Sequence, residues 1–341
     1  MLTIIEAEFC AAACLITMGA LLGKCTFPQM MMIATIESVF FTLNAVLLFE
    51  FWHILDIGGA MTIHMFGCYF GLAASMFYQP TRAIEDANDR NGGTYNSQLI
   101  AMVGTVFLFM YWPSFNAILA DGMAQQRAII NTVFSITASA LASVYLSRVW
   151  LGKMDMEVLL NATLAGGVMM GAACDIIVDP GYCMLAGAIA GLISAYGYLV
   201  VNAELKAKLN FHDTCGVHFL HGIPGILGSI VAVVAVACTH YNFENETQMK
   251  ALLPKWESRT VGEQVGYQCA GIVMSLIISL LSGGLTGALT AKMIPMPAKQ
   301  YDDTVNFAHV EYGDSEGKEV YPETEGERPQ DYQLQHGTEQ D

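Results

Sequence analysis

Charged residues are scarce in this 341-residue chain, where Asp, Glu, Lys and Arg together make up 13% of the sequence. A soluble globular domain carries about 25%, so this composition excludes an ordinary water-soluble protein. Apolar residues reach 54%. A chain of this length and composition is typical of a polytopic protein embedded in the lipid bilayer.

Several sequence motifs are also missing. The nine cysteines are scattered and form no Cys-x-x-Cys pair, so we expect neither a zinc site nor a disulfide framework. No Walker sequence or dinucleotide fingerprint occurs, which argues against ATP-driven transport. The start of the chain has no basic region typical of a signal peptide, because Glu6 and Glu8 stand there. We therefore expect no enzymatic activity, no cofactor, no metal and no nucleic-acid partner.

Long apolar runs dominate the chain up to residue 294. A helix needs about 20 apolar residues to cross about 30 Å of hydrocarbon, and helices satisfy their own backbone groups in lipid. Nine runs are long enough: 4–23, 29–50, 58–78, 98–119, 127–148, 155–177, 181–204, 214–238 and 263–290. The sequence therefore predicts an all-α polytopic bundle over residues 1–294.

Lysine and arginine predict the orientation of this bundle. If the N-terminus lies outside, eight of these residues fall in inside loops and four in outside loops, which agrees with the positive-inside rule. Residues 295–341 then form a cytoplasmic tail with 12 acidic and 3 basic residues. We expect this tail to be disordered. It is either a solvated segment or an anchor for cytoskeletal or regulatory proteins. The sequon at Asn245 falls in an outside loop, which predicts glycosylation and favours the plasma membrane.

A pattern of aspartate, glycine and histidine occurs twice. Asp56–Phe70 and Asp213–His221 both begin with D-x-x-G-x-x-x-x-H, which places His64 and His221 eight residues after an aspartate. Eight helical residues rise about 12 Å, close to half the hydrocarbon thickness. Since the two spans enter from opposite faces, both histidines should meet near the midplane, as at the site of inverted-repeat transporters. Each aspartate also suits an N-cap, and each histidine alone suits a buried core position.

The two signatures lie five spans apart, in spans three and eight. If the repeat unit is five spans, the second copy is complete and the first retains only three. The sequence itself thus predicts that the bundle lacks two spans upstream. An incomplete gene model therefore remains an alternative to a functional nine-span protein.

Four stretches resemble the Rh glycoproteins, the Rhesus branch of the ammonium transporter family. They are Asp56–Leu72, MYWPSFN at Met110–Asn116, NATLAGG at Asn161–Gly167, and Asp213–Gly225. The resemblance implies a homotrimer with one pore in each subunit. Eukaryotic relatives have twelve spans, and this chain matches the last nine.

The resemblance also implies roles for individual residues. His64 and His221 match the twin pore histidines, and Asp56 matches the aspartate at the outer end of the pore. Phe9 and Phe115 match two gate phenylalanines at the floor of an outer vestibule. Without the resemblance, both phenylalanines would be interpreted as core or lipid-facing residues.

Other positions are expected to lie beside the pore. Glu8 replaces the aspartate that relatives carry before the gate, and Phe219 replaces an asparagine two residues before His221. His218, Asp213 and Asn116 complete this set. Glu37, in the middle of span two, is expected to be a hydrogen-bonded packing residue, although a carboxylate within the membrane is often functional.

The function implied is a passive channel for ammonia or ammonium, with carbon dioxide as a further permeant. Ammonium would lose its proton at the outer gate, and ammonia would pass two hydrogen-bonded histidines. Two alternatives stay open: a non-conducting structural subunit of a membrane complex, and a zinc site formed by His64, His218 and His221. The retained histidines argue against the first, and no supporting hydrogen-bond pattern accompanies the second.

Overall fold

The computed structural model describes residues 2–79, 92–239, 246–253, 255, 257–297, 299–302, 312–313 and 319–320. The chain divides into two compact units, Met1–Tyr301 and Asp302–Asp341. Asn245, the predicted glycosylation site, lies outside the described residues. The first unit is a helical bundle, so the prediction of an all-α polytopic fold is confirmed.

The helices of the first unit follow one another with short connections. They are α1 (Leu2–Leu21), α2 (Phe27–Ala45), α3 (Phe66–Ser75), α4 (Tyr95–Ala117), α5 (Gly122–Leu151), α6 (Met156–Met170), α7 (Pro180–Tyr196), α8 (Asn202–Leu209), α9 (Ile223–Ala237), α10 (Glu246–Leu252) and α11 (Val261–Met293). Four π-helical turns extend them: Val46–Phe51 after α2, Ala60–Met65 before α3, Gly197–Val201 between α7 and α8, and His218–Gly222 before α9.

Helix starts follow from local sequence. Thr26, Thr94 and Thr260 each accept a hydrogen bond from the backbone N–H three residues later, and the side chain at that position bonds back to the threonine N–H. This reciprocal capping box satisfies two N–H groups that the helix cannot pair by itself. It defines the first residues of α2, α4 and α11.

Seven helices among the described residues are long and apolar enough to cross a membrane. Predicted spans three and six are the two exceptions. The helix that carries His64 begins only at Ala60, because Gly58 and Gly59 form a turn in which Gly59 has a φ of +72°. Positive φ costs a glycine little, so the turn occurs here and shortens the span.

The prediction of one continuous helix over 155–177 is wrong at its C-terminal end. Helix α6 stops at Met170, and the carbonyl of Gly171 accepts a 2.6 Å hydrogen bond from the N–H of Gly58. Asn131 on α5 then donates to the carbonyls of Cys174 and Ile177, at 2.8 and 2.7 Å. Irregular backbone is tolerated at membrane depth where other protein groups satisfy its hydrogen bonds, and here the Gly58 N–H and the Asn131 side-chain amide do so.

Small residues allow close helix packing. A Cβ atom added to Gly283 of α11 would lie 2.3 Å from the carbonyl oxygen of Phe70, and one on Gly287 would lie 2.4 Å from that of Ala74. A Cβ on Gly166 of α6 would approach the carbonyl oxygen of Ser135 at 2.6 Å. These contacts place backbone against backbone, the packing expected of small-residue clusters in membrane helices.

The first unit continues past Ile294, beyond the predicted boundary. The side-chain amide of Gln300 donates to the carbonyls of Lys24 and Tyr78, and the N–H of Tyr301 donates to that of Gly23 at 2.7 Å. In the second unit, β1 (Tyr312–Gly313) pairs antiparallel with β2 (Glu319–Val320).

Candidate pore

The outer signature folds around the carboxylate of Asp56. This buried side chain accepts hydrogen bonds from the N–H groups of Met61 and Thr62 and from the hydroxyl of Thr62, the last two at 2.7 and 2.8 Å. The turn at Gly59 brings these donors back toward the carboxylate. Asp56 thus caps the first turn of the helix that carries His64 by accepting its N–H groups, although the N-cap position itself is Gly59.

The inner signature repeats this arrangement. Asp213 accepts hydrogen bonds from the N–H groups of Val217 and His218, at 3.0 and 2.8 Å, and Gly216 has a φ of +69°. In both signatures the histidine lies on the π-helical turn that follows the aspartate cap. The sequence repeat is therefore also a repeat of local structure.

The two signatures bring their histidines together. The rings of His64 and His221 have centroids 5.2 Å apart and planes within 8° of each other. The hydrogen bond predicted between them is absent from this structure. Both nitrogens of His64 and the Nδ1 atom of His221 are buried without a hydrogen-bond partner. These nitrogens are therefore the polar groups that a small permeant could meet here.

Two aromatic rings lie against His64. Trp112 stacks on His64 with centroids 5.5 Å apart and planes 18° apart, and Phe115 lies 5.8 Å from the same histidine ring. Sequence reasoning did not single out Trp112. The signal was available, because positions three residues apart share a face of a helix and Trp112 precedes Phe115 by three.

Phe9 and Phe115, the two residues that the resemblance assigns to a gate, lie against each other. Their ring centroids are 5.1 Å apart, but their planes are tilted by 59° rather than stacked face to face. A tilted pair is a favourable aromatic geometry at this distance. Phe9 also lines a cavity, which places this aromatic pair at the cavity's edge.

That cavity has a volume of about 730 Å³ and lies between the start of α1, the end of α2 and the turn before α3. Four acidic residues line it: Glu6, Glu50, Asp56 and Asp175. Glu8, which was predicted to lie beside the pore, is not among the residues that line this cavity. A helix turns about 100° per residue, so Glu6 shares the face of Phe9 and Glu8 does not.

His218 and Phe219, next to each other in the second signature, have different surroundings. His218 lies edge-on to Tyr69 at 5.8 Å, and its Nδ1 atom is buried without a hydrogen-bond partner. Phe219 is buried against Gly197, where an added Cβ would come within 2.0 Å of the phenylalanine ring. Phe219 therefore fills the contact between its own turn and the end of α7.

Asn116 and Glu37 hold helices together. The amide of Asn116 donates to the Thr132 hydroxyl and the Gly167 carbonyl, both at 3.1 Å, and so links α4 to α5 and α6. Glu37 is fully buried and accepts a 2.7 Å hydrogen bond from the hydroxyl of Thr17. This contact is consistent with the predicted packing role of Glu37.

No set of three or more histidine, cysteine or acidic side chains in the described part of the chain is arranged to hold a metal ion. This includes the trio of His64, His218 and His221. The arrangement that remains is an acidic cavity, an aromatic pair and two parallel imidazoles.

Comparison with known proteins identifies the family. The sequence profile of the Ammonium Transporter Family matches residues 1–316. Ammonium transporter Rh type C from Xenopus tropicalis is 40% identical over 280 residues, which cover 80% of this chain and 60% of that protein. Ammonium transporter Rh type B from Rattus norvegicus is 40% identical over 279 residues, with coverages of 81% and 61%. The chain thus spans about 60% of the length of these relatives.

Solved structures agree. Rh50 from Nitrosomonas europaea, of the Rhesus protein family of channels, superposes with a TM-score of 0.76 at 30% identity over 90% of this chain and 74% of Rh50. Mep2 from Saccharomyces cerevisiae, at 20% identity, shares the fold with a TM-score of 0.65 over 85% of this chain and 64% of Mep2. The family placement confirms the prediction of a polytopic membrane protein that is not an enzyme. The chain belongs to the ammonium transporter family, within its Rhesus branch.

Proposed function

We propose that this chain forms the conducting path of a passive channel for ammonia and ammonium. The observation that carries the proposal is a series of groups in which each lies against the next. An acidic cavity leads to the tilted pair of Phe9 and Phe115, and below that pair lie the rings of His64 and His221. Relatives named as ammonium transporters and the channel Rh50 support it.

The outer cavity attracts cations. Four acidic side chains in a recess lined mostly by apolar groups focus a negative potential and raise the local concentration of ammonium. At the cavity's edge the ring faces of Phe9 and Phe115 can attract a cation by about 0.5–2 kcal/mol. Ammonium therefore gathers outside the aromatic pair.

The aromatic pair separates the charged species from the neutral one. Carrying a positive charge into an apolar passage costs several kcal/mol or more, whereas ammonia carries no charge. We propose that ammonium loses its proton at this point. Ammonia then passes the imidazole nitrogens of His64 and His221, which can donate or accept hydrogen bonds according to their tautomer.

The experiment is ammonia flux into liposomes that contain the protein and a pH indicator. Entering ammonia takes up a proton, so the lumen becomes alkaline at a rate set by flux. His64→Ala and His221→Ala should each slow this rate by about tenfold, or about 1.4 kcal/mol of barrier. His336→Ala, in the tail, is the matched control. Unchanged flux and selectivity in both pore variants would overturn the proposal, and absence of flux in the native protein would favour a non-conducting structural subunit.

We further propose the assembly and location that the resemblance implies: a homotrimer in the plasma membrane with the tail in the cytoplasm. Apolar side chains along α4, among them Val103, Phe107 and Met110, are exposed on the isolated chain and suit lipid or a neighbouring subunit. Native mass spectrometry of the protein in detergent tests the trimer, and protease protection in sealed vesicles tests the side of the tail. The same liposome assay with carbon dioxide, read as acidification, tests that permeant.

A further inference from the structure

A lysine is buried at the inner end of the bundle. Lys24 lies between α1 and α2, its side chain is fully buried, and its Nζ atom donates a 2.6 Å hydrogen bond to the carbonyl of His212. Burying an ammonium group is costly unless it is paired. We therefore expect a negatively charged side chain close to Lys24.

Asp213 is that partner. This carboxylate is also buried, and it directly follows His212, whose carbonyl accepts the Lys24 hydrogen bond. The two signatures differ at this point. The outer carboxylate, Asp56, accepts the hydroxyl of Thr62 in addition to two backbone N–H groups, whereas the inner carboxylate accepts two N–H groups beside a buried lysine.

The segment around Asp213 is docked on the end of α1. The N–H of Cys215 donates to the Gly19 carbonyl at 3.2 Å, and the hydroxyl of Thr214 donates to the Leu22 carbonyl at 3.0 Å. The loop that carries Lys24 is itself held, since Gln300 donates to the Lys24 carbonyl. Lys24 is thus a fixed group against which the inner signature rests.

We propose that Lys24 is a positioning residue for the inner half of the pore. Its ammonium, bound to the His212 carbonyl beside Asp213, holds the carboxylate that caps the turn carrying His221. Loss of the ammonium frees Asp213 and loosens the turn, so His221 no longer keeps its place opposite His64. The effect on transport rests on the proposed function, but the effect on the turn does not.

The charge of Lys24 depends on pH near neutrality. Burial lowers the pKa of Lys24 to about 8, while the charge of Asp213 opposes this shift. The other titratable groups that face Lys24 or its hydrogen bond are the thiols of Cys25 and Cys215 and the ring of His212. Because the pKa lies below its ordinary value, the ammonium is present below about pH 8 and is lost as pH rises through that value.

The test compares Lys24→Met with Lys292→Met, which makes the same change at an exposed lysine near the end of α11. Hydrogen–deuterium exchange is measured in peptides covering 211–222 and, as internal reference, 56–65. At pH 7 we expect Lys24→Met to speed exchange in 211–222 by about tenfold and leave 56–65 unchanged. Lys292→Met should change neither peptide. Above about pH 9 the native protein should approach the exchange of Lys24→Met measured at the same pH.

The outcomes separate the inference from its alternatives. Equal loosening of both peptides would show a general loss of stability, and unchanged exchange in 211–222 would remove the positioning role; either result overturns the proposal. If Lys24→Met does not fold, the native protein at pH 6.5 and 9, corrected for intrinsic exchange, gives the same comparison between peptides. Absence of ammonia flux in the native protein would count against the proposed function alone.

Discussion

Asp56 and Asp213 perform the same structural task in two different helices. Each carboxylate is buried and accepts hydrogen bonds from two backbone N–H groups at the start of the turn that carries His64 or His221. A glycine with positive φ lies three residues after each aspartate. The D-x-x-G-x-x-x-x-H pattern is thus a folding unit that delivers a histidine to a defined place.

Removal of the outer cap should destabilise the protein. Asp56→Ala leaves the N–H groups of Met61 and Thr62 without their acceptor, and hydrogen bonds to a charged group contribute about 1.5–3 kcal/mol. We expect the free energy of unfolding to fall by about 2–3 kcal/mol, and by less in Asp56→Asn, which keeps one acceptor oxygen. Denaturation of the purified variants in detergent measures the free energy of unfolding of each. Equal stability of Asp56→Ala and native protein would contradict the capping role.

The glycines of the two signatures should resist substitution. Gly59→Ala and Gly216→Ala each force an L-residue into the left-handed region, at a cost of about 1–2 kcal/mol. Gly104→Ala on α4 is the control, because a Cβ there meets nothing within 4 Å and the position is helical. The control should be neutral or stabilising by about 0.5–1 kcal/mol. Thermal melting measures the stability of the three variants. A Gly59 or Gly216 variant as stable as the Gly104 control would contradict the need for glycine at that position.

The sequence was sufficient to predict those features of the candidate site that depend on local residue spacing. The aspartate, glycine and histidine spacing predicted both caps and the meeting of His64 with His221, because each signature folds within its own short segment. The apolar runs likewise predicted the order of the helices, although only seven of the nine predicted spans are long helices in the described part of the chain. The resemblance supplied Phe9 and Phe115, whose ring contact no local pattern indicates.

Features that depend on long-range contacts escaped prediction. The break in predicted span six requires Gly58 to bond to Gly171 and Asn131 to satisfy carbonyls more than forty residues away. The sequence shows Lys24 only as a lysine between two apolar runs, because its burial depends on the distant segment around His212. The relative angle of two rings, such as those of Phe9 and Phe115, is set by packing and cannot be inferred from the spacing of residues in the sequence.

The ring stacked on His64 should influence transport. A Cβ atom on Gly167 would lie 2.4 Å from the indole nitrogen of Trp112, so Gly167→Ala must displace that ring. We expect ammonia flux to fall by about fivefold, or about 1 kcal/mol of barrier. Gly284→Ala on α11, where a Cβ meets nothing within 4 Å, is the matched control. Native flux in Gly167→Ala would show that Trp112 does not shape the path.

The acidic cavity should govern apparent affinity rather than maximal rate. Glu6 and Glu50 line the cavity, whereas Glu8 lies nearby on an exposed face of the same helix as Glu6. Glu6→Gln and Glu50→Gln remove charge without removing bulk, so each should raise the KM for methylammonium by about two- to threefold at low salt. High salt should shrink this difference because it screens charges on the exposed side of the cavity. Glu8→Gln is the matched control and should leave KM near the native value. A KM that responds to Glu8→Gln as strongly as to Glu6→Gln would show that general surface charge, and not the cavity, concentrates the cation.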